Sequence, residues 1–96
     1  MSDPALLILA SLADGDKHGY AMLEDIQRFA GARLGPGTLY GAITRLEQRG
    51  WIRAVRSADE RRQPYALTAG GRRHLQEQLS ELDHVVKTGL RRLRQA

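Results

Sequence analysis

The hydrophobic period of this chain changes at Gly50, and that change restricts the fold more than any other feature. Before Gly50, apolar residues recur at helical spacing. Residues 51–56 instead alternate as Trp-Ile-Arg-Ala-Val-Arg, the period of a strand, and residues 64–67 read as the returning partner. Residues 57–63 between them are polar and charged, with no apolar side chain larger than Ala58, which is the composition of an exposed hairpin tip. From Thr68 onward the period is helical again. The pattern predicts a mainly α fold with a small β-wing, an α+β arrangement that ends in a long helix.

Local signals place the helices. Asp3 followed by Pro4 reads as an N-cap and a first helical position, since the carboxylate can accept an orphan amide and proline has none to lose. The first helix is expected to reach about Ala13, with Gly15 beyond its end. A second is expected over residues 20–30, with Leu23, Ile26, Phe29 and Ala30 on its inner face. Pro36 opens a third that runs to about Arg49 before Gly50, with Leu39, Ala42, Ile43 and Leu46 on one side. Thr68 is a suitable N-cap for the last helix, expected to extend to about Arg94 despite Gly70 and Gly71 in its first turn. On that helix Leu75, Leu79, Leu82, Val86, Gly89 and Leu93 recur at alternating spacings of four and three, the seam of a two-stranded coil, which calls for a partner. Residues 1–67 are accordingly expected to form one domain and residues 68–96 a dimerisation helix.

At 96 residues the chain has room for one domain with a thin core. It has no cysteine, hence neither a disulfide framework nor a thiolate metal site. The apolar run over residues 5–10 is far shorter than the roughly 20 residues of a spanning helix, so the expectation is a soluble, unexported, cytoplasmic protein without a membrane partner. The net charge of +4 is unevenly placed. Residues 1–32 carry two basic and five acidic side chains, residues 33–62 seven and three, and residues 68–96 six and three. A basic middle with an acidic first third is the layout of a nucleic-acid binder. Thirteen of the fifteen cations are Arg, which suits bidentate contacts to phosphate and guanine and equally follows from GC-rich coding.

The order helix, helix, short turn, helix, hairpin, long helix is that of a winged helix-turn-helix. The third helix would lie in a major groove, which admits a helix of ordinary width. Its outward face carries Gly37, Thr38, Gly41, Thr44, Arg45 and Gln48. The two glycines allow the backbone close to DNA, Arg45 suits guanine and Gln48 adenine. Arg53, Arg56, Arg61 and Arg62 on the hairpin would contact the backbone, giving affinity and register more than sequence preference.

These residues resemble a known family. The segments His18-Gly19-Tyr20, Pro36-Gly37-Thr38-Leu39-Tyr40, Arg45-Leu46-Glu47, Gly50-Trp51-Ile52 and Arg61-Arg62-Gln63-Pro64-Tyr65-Ala66-Leu67-Thr68 with Gly71 are similar to the PadR family of bacterial transcriptional regulators over about residues 5–75. The resemblance implies a winged-helix homodimer joined mainly through the last helix with help from the first. It further implies binding to double-stranded DNA at an inverted repeat, usually as a repressor, and in many members release by a small-molecule effector, here unknown. It makes Pro36, Gly37, Thr38 and Tyr40 the start of the recognition helix and Arg61 and Arg62 the wing tip. Two positions depart from the family pattern. Gly41 stands where many relatives carry a longer, often basic side chain, and residues 68–96 hold no aromatic of the kind that lines a drug pocket in some relatives.

Other readings of single residues stand beside these. Tyr40 suits both packing and a phosphate contact, Trp51 suits a core anchor better than a ligand platform, and His18 suits a helix start or a phosphate contact better than a metal. His74, Glu77, Glu81 and His84 share a face that could clasp a divalent ion and equally forms a solvated surface, so no metal or other cofactor is assigned. Arg91, Arg92 and Arg94 suit the end of a helix through its dipole alone. With no cysteine nucleophile, no glycine-rich phosphate loop, and Ser2, Ser11, Ser57 and Ser80 scattered away from any histidine, no enzyme is expected. The rival functions are a winged helix used for protein association and a ligand- or metal-responsive sensor acting through DNA.

Overall fold

In the computed structural model, which describes residues 3–96, the elements follow in the order α1 (Pro4–Leu12), β1 (Lys17–His18), α2 (Gly19–Ala30), α3 (Pro36–Gln48), β2 (Ile52–Ala54), β3 (Pro64–Leu67) and α4 (Ala69–Gln95). Asp3 caps α1 by accepting the amide of Ala5 at 3.0 Å, and Pro4 and Pro36 occupy first-turn positions where a missing N–H costs nothing. Residues 1 and 2 of the expected first domain lie outside the described residues.

The core sits where α1, α2 and α3 converge. Ile8, Leu9, Leu12, Met22, Ile26, Leu39, Ile43 and Leu46 are all but inaccessible, and Ile52 from β2 and Leu75 from α4 close the cluster. Each such side chain removed from water is worth about 1.5–3 kcal/mol, so this small set supplies most of the driving force. α1 is buried on more than one side because it contacts α2, α3 and α4 together. The inner face of α2 differs from the expectation. Met22 and Ile26 point inward, whereas Phe29 is half exposed and Ala30 is exposed in the last turn, just before Gly31 ends the helix.

The sheet holds three strands rather than the expected two, in the order β1-β3-β2, all antiparallel. Lys17 and His18 pair with Tyr65 and Pro64, and Ile52, Arg53 and Ala54 pair with Leu67, Ala66 and Tyr65. Two residues are too few to leave a period, so β1 has no signature in the sequence. β2 covers three of the six residues expected.

The base of the hairpin is tied to both helices that flank it. The Thr68 amide donates to the Trp51 carbonyl at 3.1 Å, and the Thr68 hydroxyl donates to the Gly50 carbonyl at 2.6 Å while accepting from the Gly71 amide at 3.0 Å. Thr68 is thus the expected N-cap and a clamp on the turn after α3. Here lies the reason for one of the two costly glycines. A Cβ on Gly71 would stand 1.9 Å from the Trp51 carbonyl oxygen, so α4 can cross the wing base only where this side chain is missing.

Beyond Leu75, α4 leaves the core and gives the molecule its extents of 56 × 26 × 20 Å. Its projecting part exposes Leu79, Leu82, Val85, Val86, Leu90 and Leu93. Leu75, expected in the dimer seam, is instead 4% exposed and packs in its own subunit's core, since the first turns of α4 lie on α1 and β3. No helix among the described residues is long and apolar enough to cross a membrane.

Candidate nucleic-acid interface

At 3.6 residues per turn, Gly37, Gly41, Thr44 and Gln48 fall in one row opposite the buried Leu39, Ala42, Ile43 and Leu46. The middle of the outward face of α3 is therefore low. Two positions are bare backbone, and the Thr44 hydroxyl donates to the carbonyl of Tyr40 at 3.0 Å, which turns it back onto its own helix. Gln48 is left as the free amide of the row. Thr38 and Arg45 flank it on one side and Tyr40 on the other, all three exposed. A Cβ at Gly41 would meet only the end of the Arg45 side chain, at an ordinary contact distance of 3.5 Å, so nothing in the packing requires glycine there.

Arg45 also borders a hollow of about 280 Å³ with Asp3, Arg49, Trp51, His74 and Gln78. In it the Trp51 and His74 rings stack with centroids 3.7 Å apart and 12° between planes, and the Arg49 guanidinium lies 5.2 Å from the Trp51 ring. The half-buried Trp51 thus packs between the end of α3 and α4. His74, one of the four residues that could have formed a metal clasp, is spent on this stack. Among the described residues, no three His, Cys, Asp or Glu side chains come together in a way that could hold an ion.

The wing arginines divide into two groups. Arg53 on β2 and Arg56 after it are exposed. Arg61 and Arg62 form a turn around Asp59, whose carboxylate accepts the Arg61 amide at 3.0 Å and lies 3.4 Å from the Arg61 Nε and 3.7 Å from the Arg62 Nε. Gln63 steadies the return strand by donating to the carbonyls of Val55 and Pro64 at 3.0 and 2.8 Å.

Of the residues singled out in the sequence, Tyr40, Arg61 and Arg62 meet around one cleft of about 290 Å³, together with His18, Gly19, Tyr20 and Gln63. The Tyr40 hydroxyl stands so close to Gly19 that a Cβ there would lie 2.4 Å from it. Next to it, burial, with the charges of Glu47 and Tyr40, raises the Tyr65 phenol above its ordinary value of 10.0. Arg45 and the row along α3 lie outside this cleft, as do Arg53 and Arg56. His18 is the residue the sequence left without a firm place. β1 brings it to the wing, where its Nδ1 accepts the Ala21 amide at 3.3 Å as the N-cap of α2 and its Nε2 lies 3.1 Å from Arg62 Nη1.

Comparison with known proteins bears on what such a surface does. The model of the transcriptional regulator PadR-like family matches residues 8–77. An uncharacterised 37.1 kDa transposon protein of Streptomyces fradiae is 43% identical over 77 residues, which is 80% of this chain but 22% of that protein's length. Among solved structures, a PadR family transcription regulator from Clostridium difficile superposes with a TM-score of 0.83 at 26% identity, covering 94% of this chain and 97% of the other. A transcriptional regulator from Clostridium thermocellum gives 0.80 at 27%, covering 92% and 87%, and a PadR family regulator from Eggerthella lenta gives 0.73 at 27%, covering 93% and 79%.

Proposed function

The chain belongs to the PadR-like family of transcriptional regulators, and from that premise we propose that it acts in the cytoplasm, at the nucleoid, as a homodimeric repressor of an inverted-repeat operator. The winged-helix fold is shared with regulators of the family. The observation that carries the reading is the exposed face of α3, a low row from Gly37 to Gln48 flanked by Thr38, Tyr40 and Arg45, together with the exposed Arg53, Arg56, Arg61 and Arg62 of the wing. A face of this kind admits a groove floor close to the helix backbone, with Gln48 and Arg45 as base readers and Thr44 offering its methyl group to thymine. The outer arginines supply charge to the phosphates. No apolar side chain lies in that row, which argues against a protein partner there.

In this reading residues 1–67 form the DNA-binding unit and residues 68–96 the dimerisation helix. Leu79, Leu82, Val86 and Leu93 make the seam, and Val85 and Leu90 widen it. A two-fold pair would place its recognition helices about 34–36 Å apart or at a multiple of that distance. The transposon relative extends far beyond the matched region, so its own activity is no guide to this chain's.

The test is a fluorescence titration of a duplex from the protein's own upstream region at two salt concentrations. The affinity should fall steeply with salt, and Arg45→Ala combined with Arg61→Ala should weaken it by about tenfold or more, since each lost charged contact is worth about 1–3 kcal/mol. Weak, sequence-blind binding left unchanged by the double substitution would defeat the proposal.

A further inference from the structure

His18 is asked to accept twice. The Ala21 amide approaches its Nδ1 at 3.3 Å and the Arg62 guanidinium its Nε2 at 3.1 Å. A backbone N–H and a guanidinium are donors only, and a neutral imidazole has a single acceptor nitrogen. In neither tautomer can both contacts be hydrogen bonds. In the tautomer whose Nδ1 accepts the Ala21 amide and caps α2, the ring proton is on Nε2, and two N–H groups then face each other at the mouth of the cleft. Asp59 does not resolve the conflict, because it lies on the far edge of Arg62, 3.7 Å from Nε.

The cleft these donors enter is open to solvent and lies where α3 meets the wing, with Tyr40, Arg61 and Gln63 completing its wall. Every charged side chain in that wall is cationic. An anionic oxygen placed between His18 Nε2–H and Arg62 Nη1–H would accept from both and convert the repulsive contact into two charge-assisted hydrogen bonds.

Resting on the DNA-binding reading, we propose that His18 and Arg62 jointly clasp one backbone phosphate of the duplex, with the cleft as its seat. The clasp joins the start of α2 to the wing tip through a single phosphate. Docking of the wing and docking of the helix-turn-helix are then one event rather than two, and His18 is a DNA contact in its own right.

The experiment uses the full chain and a duplex selected from a random library by the wild-type protein, in which single backbone phosphates are replaced one at a time by uncharged methylphosphonates. His18→Ser keeps an N-cap oxygen on α2 but removes the ring donor; Arg62→Ala removes the other donor from an exposed site and leaves the core untouched. At one position per half-site, replacement should weaken wild type by about tenfold, the cost of losing a charged hydrogen-bond partner. The same replacement should cost either variant less than about twofold, since its contact is already gone. The clasp is overturned if both variants stay as sensitive as wild type at every position, or if His18 and Arg62 map to different phosphates. Inorganic phosphate at matched ionic strength should leave the map unchanged; loss of that one position in millimolar phosphate would assign the cleft to a free anion and overturn the proposal. Failure of the wild type to select any duplex would instead defeat the DNA-binding reading on which the clasp depends.

Discussion

Gly70 and Gly71 are neighbours in the first turn of α4, and only the second has a steric reason to be glycine. A Cβ at Gly70 would meet nothing nearer than 3.8 Å, whereas one at Gly71 would enter the Trp51 carbonyl at 1.9 Å, a backbone group that cannot step aside. Gly71→Ala should therefore destabilise the fold by about 1–3 kcal/mol or more, as an overpacked site does. Gly70→Ala should be neutral or stabilising by up to about 1 kcal/mol through helix propensity. Urea unfolding of the two variants decides it, and equal effects would contradict the close crossing. In the sequence the pair reads only as a cost, because a crossing of two backbones far apart in the chain leaves no local trace. The same holds for His18. Its part in the cleft depends on a two-residue strand pairing with residues 64 and 65, whereas Asp3, Pro36 and Thr68, which act within their own turns, could be placed from the sequence alone.

At the level of elements, the helix boundaries follow their capping residues closely, and β3 spans the expected residues 64–67. The inner face of α2 was less legible, since Met22, Ile26 and Phe29 share one stripe, yet Phe29 in the last turn is half exposed while the other two are buried. α4 shows why one periodic stripe need not have one role. Leu75 continues the spacing of Leu79, Leu82, Val86 and Leu93, yet it serves the monomer core while the others stand 45–75% exposed. Substitutions along the stripe should therefore split into two classes. Leu75→Ala should lower the stability of the fold by about 2–5 kcal/mol. Leu82→Glu with Val86→Glu should leave a folded chain that sediments as a monomer, because charges replace the apolar seam without touching the core. Sedimentation velocity with circular dichroism separates the cases. A double Glu variant that still sediments as a dimer would mean that the subunits join elsewhere.

For the whole molecule, the uneven charge visible in the sequence corresponds to a division of labour in space. The basic middle third supplies α3 and the wing, the acidic first third supplies α1 and α2 behind them, and α4 carries the apolar face away from both. The fold class was legible because the helices and the two hairpin strands each have their own period, which the two-residue β1 is too short to show. Of the proposed assembly only an unpartnered apolar face on α4 was legible, since a single chain leaves no trace of the angle at which two copies would meet. The proposed function requires that α3 and its wing be presented twice, by a two-fold pair, to one duplex. Hydroxyl-radical footprinting on a selected duplex tests this most directly. It should show two symmetric protected half-sites with centres about 10–10.5 base pairs apart, or a multiple of that spacing, and both should vanish together in the Leu82→Glu, Val86→Glu variant. A single asymmetric footprint that persists when the chain is monomeric would contradict it.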